Sequence, residues 1–252
     1  MTKQRVLVTG MSGLIGGLVR DRLADQYELT ALNRSDVPGV KTVKADLADL
    51  AAIQPAFDGQ DVVVHMAAKA GNHFTWQDLE QTNNVGTYNV FEAARQAGVK
   101  RVVYASSGAT ISGWENEEPY KALAEGRYED VPDDWPMITH ETPVRPTGIY
   151  GCTKVWGEAL ARHFTDASDL SIICLRIGVV NQQNRPNKPR DFAIWCSHND
   201  IAQMVQRCVE APPDLKFDIF FVVSDNKWGY RDISHGREVV GYVPQDAAED
   251  YR

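Results

Sequence analysis

The sequence predicts an α/β chain built on a doubly wound parallel sheet, with a small C-terminal portion beside it. Three observations lead there. Short β-branched runs alternate with amphipathic segments, a glycine-spaced turn follows the first run, and valine-rich runs stand at 61–65 and 101–105. Strands alternating with helices pair in parallel through right-handed crossovers. Strands are expected at 4–8, 28–32, 42–44, 61–65, 101–105, 171–176 and 218–223. Helices are expected at 14–25, 49–56, 147–165, 200–210 and 232–240, the fourth capped by Ser197. A helix at 76–97 repeats Val90, Phe91, Ala94 and Ala97 at helical spacing and closes on Gly98. Residues 112–146 break the pattern. They are rich in acids and proline and read as a surface excursion with one short helix at 120–124.

The turn after the first strand is Thr9-Gly10-Met11-Ser12-Gly13-Leu14-Ile15-Gly16. It needs residues tolerant of positive φ and a backbone that approaches a pyrophosphate without a Cβ in the way. The helix opening at Leu14 and Ile15 then offers free N–H groups and the positive end of its dipole. This is the arrangement of a Rossmann-type dinucleotide site, with Gly10, Ser12, Gly13, Leu14, Ile15 and Gly16 as its phosphate residues. The second strand ends on Asn33 and Arg34, where a carboxylate would read the adenosine ribose. A neutral Asn33 beside a cationic Arg34 leans towards NADP without excluding NAD. Asp46 and Leu47 are placed to bind the adenine.

The 252 residues allow one domain, with 1–176 mainly binding the dinucleotide and 177–252 mainly forming a substrate lobe. A net charge of −8 repels phosphate backbones and argues against nucleic acid as a partner. No stretch of about 18 apolar residues suggests a membrane span, and no signal-peptide core is seen, so a cytoplasmic protein is expected. Cys152, Cys174, Cys196 and Cys208 form no CxxC and no zinc-finger spacing with histidine, so no metal is expected.

Tyr150 and Lys154 form a YxxxK at a helix start, which puts both on one helical face. A nearby ammonium favours the tyrosinate, making Tyr150 a candidate base. Ser106 and Ser107 end the fifth strand at the ligand-binding edge of an open sheet.

With these residues in place the chain resembles the extended short-chain dehydrogenases/reductases of the epimerase/dehydratase group. The matching marks are TGxxGxxG at 9–16, Asp46-Leu47, His65-Met66-Ala67-Ala68, Asn83 to Thr87, Ser106-Ser107 and Tyr150/Lys154. Segments at 148–154, 175–178, 195–200 and 241–246 are similar to uronate dehydrogenases and to archaeal NAD-dependent glucose-6-phosphate dehydrogenases. The resemblance implies oxidation of an aldose at C1 to the lactone. It implies Tyr150 as base, Lys154 as its activator and ribose ligand, Ser107 as hydroxyl-positioning residue, and Asn83 as a structural or relay residue. Met66, Ala67, Ala68, Asn83 and Ile177 are implied cofactor neighbours, NAD is the cofactor it favours, and a homodimer paired through helices at 76–97 and 147–165 is the expected assembly. Departures fall around the substrate. Gly108 and Ala109 stand where those relatives carry Asn-His, Val179 and Ala70 where they carry serines, and the acidic excursion is longer.

Arg185, Lys188 and Arg190 lie in a polar loop after the sixth strand and are expected to clamp an acidic sugar, with Ser107, Gly108 and Ala109 as further contacts. His140 and His198 read as polar surface or helix-start residues, Arg176 as half of a structural ion pair, and Trp114 and Trp228 as packing groups. Two other functions stay open: a sugar-nucleotide epimerase or dehydratase that returns the hydride, and a non-catalytic NAD(P) sensor.

Overall fold

The computed structural model describes residues 3–252. Its sheet has seven parallel strands: β1 (Arg5–Thr9), β2 (Glu28–Asn33), β3 (Lys41–Lys44), β4 (Val62–His65), β5 (Arg101–Ser107), β6 (Ser171–Ile177) and β7 (Phe217–Val222). Their order is β3-β2-β1-β4-β5-β6-β7. The chain winds outward from β1 through β2 to β3, then crosses to β4 and winds the other way. The crevice at that reversal lies between the carboxyl ends of β1 and β4, where Thr9 pairs with His65.

Each face of the sheet buries its own core, one around Val6, Val8, Val64 and Ile173, the other around Leu7, Val63, Phe91 and Tyr104. A third cluster joins Ile111, Tyr120, Leu123 and Ile138 to Ala193, Phe221 and Tyr230. The 112–146 excursion is therefore partly core. Gly108–Asn116 winds in 3-10 turns, α5 (Tyr120–Glu125) packs inward, and the chain returns along Ile138, which pairs with Arg231.

Helix α1 (Leu14–Leu23) follows the glycine turn. The expected helix at 49–56 divides into α2 (Leu50–Ile53) and a 3-10 turn, Gln54–Phe57, with Pro55 at its start. The long helix at 76–97 is also interrupted. α3 (Trp76–Leu79), held by a Thr75/Asp78 capping box, runs into a π turn at Glu80–Val85 before α4 (Gly86–Gln96). Inside the π turn Asn83 bonds to the backbone of Lys69 instead of facing solvent, and such a local widening fits a side chain that must reach sideways. α6 (Ile149–Ala167) starts after extended Gly148. α7 (Asp191–Ile194) closes the polar loop, and α8 (His198–Val209) starts from Ser197, whose hydroxyl accepts from Asp200 N–H at 3.0 Å. α9 (Ser234–Val240) ends on Gly241 in the left-handed region. No helix among the described residues is long and apolar enough to cross a membrane.

Candidate active site

The glycine turn is closed by Gly13 N–H donating to Gly10 O at 3.0 Å. Gly10 has φ +68°, and a Cβ there would come within 2.7 Å of Ala67 Cα; one at Gly16 would overlap the Gly10 carbonyl. Backbone is thus packed to backbone at the mouth of α1, leaving a cavity of about 750 Å³ over the β1/β4 crevice. Gly10, Ser12 and Gly13 form one wall, Asn33, Arg34, Asp46 and Leu47 another, and Met66, Ala67 and Ala68 the third. These residues fit a dinucleotide, because side chains are missing where its phosphates would approach. Leu14 and Ile15 belong to the first turn of α1 and do not line this cavity. Ile177 lines the neighbouring cavity instead. Asn33 is buried, and its Nδ2 donates to Ser12 Oγ at 2.7 Å, tying the end of β2 to the phosphate turn.

Tyr150 and Lys154 share a face of α6. The Lys154 Nζ lies 5.9 Å from the Tyr150 ring centre and donates to Ala105 O at 2.8 Å. Burial pulls the lysine down to about 7, while Glu158 opposes that shift. Burial pushes the Tyr150 phenol up, and the Ser107 hydroxyl beside it opposes the rise. Asn83 is buried behind the pair. Its Oδ1 accepts from Lys69 N–H at 2.8 Å and its Nδ2 donates to Thr153 Oγ1 at 3.1 Å; that hydroxyl donates to Tyr150 O at 2.7 Å. Asn83 therefore fixes the first turn of α6. His65 sits deeper, its ring nitrogens 2.7 Å from Thr9 Oγ1 and 3.2 Å from Thr87 Oγ1, and burial drops its pKa to about 3.

Below the pair, Glu158 takes a bidentate bond from Arg176 at 3.0 and 2.8 Å, and Ser106 Oγ donates to it at 2.6 Å. Arg176 makes the structural pair expected of it. The Glu158 side chain is a link the sequence reading missed; its only signal was a carboxylate one turn beyond Lys154.

A second cavity, about 240 Å³, adjoins Ser107. Gly108, Ala109, Gly148, Gly151, Arg190 and Arg231 are among its walls. Of the three expected clamp cations only Arg190 reaches it, and Arg185 and Lys188 are exposed. The loop turns them outward because Asn181 binds the Arg185 backbone and Asp191 accepts from the backbone N–H groups of Asn187 and Lys188. Arg190 itself is held by Glu115, at 2.5 Å from Nε and 2.7 Å from Nη2, and Tyr230 donates to the same carboxylate at 2.6 Å. Burial would raise the Glu115 carboxyl, but the bond and charge of Arg190 hold it below its ordinary value. Glu115 reads in the sequence as one acid of a solvated run, and Arg231 lies in an unremarkable tail; long-range packing alone brings them here.

Trp114 donates to Pro143 O at 2.9 Å, and Trp228 stacks between Tyr128 and Trp135, so both pack the lobe. His198 bonds Asn181 O at 2.7 Å at the start of α8. His140, Asp218 and His235 approach within 4.8 Å of one another. The two rings stack 3.9 Å apart at 13°, which sets their in-plane lone pairs parallel instead of convergent on one ion.

Residues 6–194 match the NAD dependent epimerase/dehydratase family. The chain belongs to that family. Within it, this dehydrogenase-type chain is 30% identical over 258 residues to the NAD-dependent glucose-6-phosphate dehydrogenase of Haloferax volcanii, covering 98% of this chain and 95% of that one. It is 31% identical to the L-arabinose 1-dehydrogenase (NAD(P)(+)) of the same organism, covering 96% of each. A crystal structure of a mutant uronate dehydrogenase from Agrobacterium tumefaciens complexed with NAD superposes with a TM-score of 0.84 at 31% identity, over 100% of this chain and 88% of that one.

Proposed function

We propose that this family member oxidises a small aldose, preferentially an acidic one, at C1 to the lactone. The observation that carries this reading is that Ser107, beside Tyr150 and on the strand end that Lys154 bonds, lines an arginine-bearing cavity, while a glycine cradle stands at the reversal of the same sheet. When bound, the nicotinamide supplies the hydride acceptor. Ser107 orients the C1 hydroxyl, and Tyr150, as tyrosinate, accepts its proton while the C1 hydrogen leaves with its electron pair and the C=O bond forms. The Lys154 ammonium lowers the cost of the tyrosinate, and Asn83 holds the helix turn that presents both. Neutral and acidic aldoses assayed with either cofactor, followed by reduced-nicotinamide absorbance, test the reading. Net reduction is expected, whereas an epimerase returns the hydride and gives none.

On the cofactor, Asn33 supplies no negative charge to repel a 2′-phosphate, and exposed Arg34 lies at the cavity wall. Measurable NADP binding is therefore expected beside NAD. Asn33→Asp should weaken NADP by about tenfold or more, through repulsion of the phosphate. Dissociation constants of both cofactors for both proteins decide this, and unchanged ratios would place ribose recognition elsewhere.

A homodimer is the assembly we favour. Tyr88 on α4 and Trp156 on α6 are 44% and 36% exposed on helices that pack side by side, and an exposed aromatic face of this kind suits a symmetric helix bundle. Light scattering should give twice the 28.1 kDa chain mass.

A further inference from the structure

We propose that Arg231 holds the anionic end of the sugar, a carboxylate or a phosphate, and so sets the enzyme's preference for charged aldoses. The proposal rests on the dehydrogenase reading above. The position of Arg231 follows from backbone pairing. Ile138 N–H donates to Tyr230 O at 2.7 Å, and Asp232 N–H donates to Ile138 O at 2.9 Å, so the residue between is pinned to the returning excursion. Its guanidinium occupies the space that a side chain at Gly108 would fill, since a Cβ there would overlap Nη1, Cζ and Nη2. Gly108 directly follows Ser107, so a cation is delivered to the cavity wall next to the hydroxyl-positioning serine.

That cation is incompletely satisfied. Arg231 is 2% exposed, and its Nε and Nη1 have no hydrogen-bond partner among the described residues. The carboxylate of Glu115 stands 3.7 Å from Nη2, beyond hydrogen-bond reach, and is already engaged by Arg190 and Tyr230. Two guanidinium groups thus share the Glu115 carboxylate, and the neighbouring Asp191 acts on Arg190 alone, so Arg231 is the less compensated of the two. A dry charge with one distant, shared counter-ion and two unbonded nitrogens is unfavourable unless something completes it. A sugar hydroxyl would accept a hydrogen bond but leave the charge uncompensated, whereas a carboxylate or phosphate meets both needs.

The test uses the full chain with its cofactor, as parent, Arg231→Met and Gly108→Ala. Glucuronate and glucose 6-phosphate serve as anionic substrates, galactose and L-arabinose as neutral ones. Arg231→Met should lower the anionic-to-neutral ratio of kcat/KM by about tenfold to a hundredfold, mostly through KM. Gly108→Ala, which displaces the guanidinium but keeps its charge, should lower the same ratio. Without sugar, Arg231→Met should melt at or above the parent temperature, because it removes a buried charge that is only weakly compensated. The anionic sugar should raise the melting temperature of the parent and not that of the variant. The larger loss, with glucuronate or with glucose 6-phosphate, tells carboxylate from phosphate. An unchanged ratio overturns the proposal. So does a variant that melts lower and loses both substrate classes equally, which would make Arg231 structural. A parent that oxidises only neutral sugars overturns the anion role alone, while a parent that oxidises neither class overturns the dehydrogenase reading itself.

Discussion

Tyr150→Phe is expected to lower kcat by about 10²–10⁴-fold while NAD affinity stays within a few-fold of the parent. The substitution removes one oxygen and no packing surface. Asn83 and Thr153 hold the helix turn through main-chain and hydroxyl contacts that the phenol does not make, so the fold should not move. What disappears is the group proposed to accept the C1 hydroxyl proton. Steady-state kinetics with cofactor titration measure both quantities, and turnover within a few-fold of the parent would return the proton-acceptor role to another group. The pH profile gives a second handle. Burial raises the Tyr150 phenol, so the basic form gains ground as pH rises and activity should climb on the alkaline side.

Glu158→Ala should destabilise the fold by about 3–5 kcal/mol, read from urea unfolding. The Arg176 and Glu158 side chains are 2% and 6% exposed, and the pair joins β6 to α6 beneath Tyr150 and Lys154. Removing the acid strands a guanidinium in the sheet and leaves Ser106 Oγ without its acceptor. A double variant, Glu158→Leu with Arg176→Met, should recover most of the loss, because two apolar groups of similar volume avoid the desolvation cost altogether. A single variant as stable as the parent would mean that water or another group compensates Arg176.

What the sequence made legible follows the range of the interactions involved. Gly10, Gly13 and Gly16 encode their turn within eight residues, and Tyr150 and Lys154 encode their face within one helical turn, so local rules reach them. The strands were readable from β-branched runs for the same reason. The π turn at Glu80–Val85 was not, because its cause is Asn83 reaching to Lys69 and Thr153, the latter 70 residues away. The wall of the cavity beside Ser107 was legible only in part. Arg185 and Lys188 look like partners of Arg190 in sequence, yet loop hydrogen bonds turn them to solvent. Glu115 looks like one acid among many, yet it is 75 residues from the arginine it holds. The excursion reads as surface because its charges are plain and its apolar anchors, Ile111, Tyr120, Leu123 and Ile138, are widely spaced.

The interlock of Gly108 with Arg231 also constrains how this wall can change by mutation. A side chain installed at 108 alone meets the guanidinium, and shortening Arg231 alone leaves a hole beside a bare backbone. The effect of a change at either position depends on the residue at the other, so the two are epistatic and their effects will not add. A lineage moving from this wall to one with a bulky polar residue at 108 must first change Arg231, which opens the room at 108 but gives up the cation. If Arg231 sets substrate preference as proposed, that preference is more resistant to drift than a loop-borne arginine would make it.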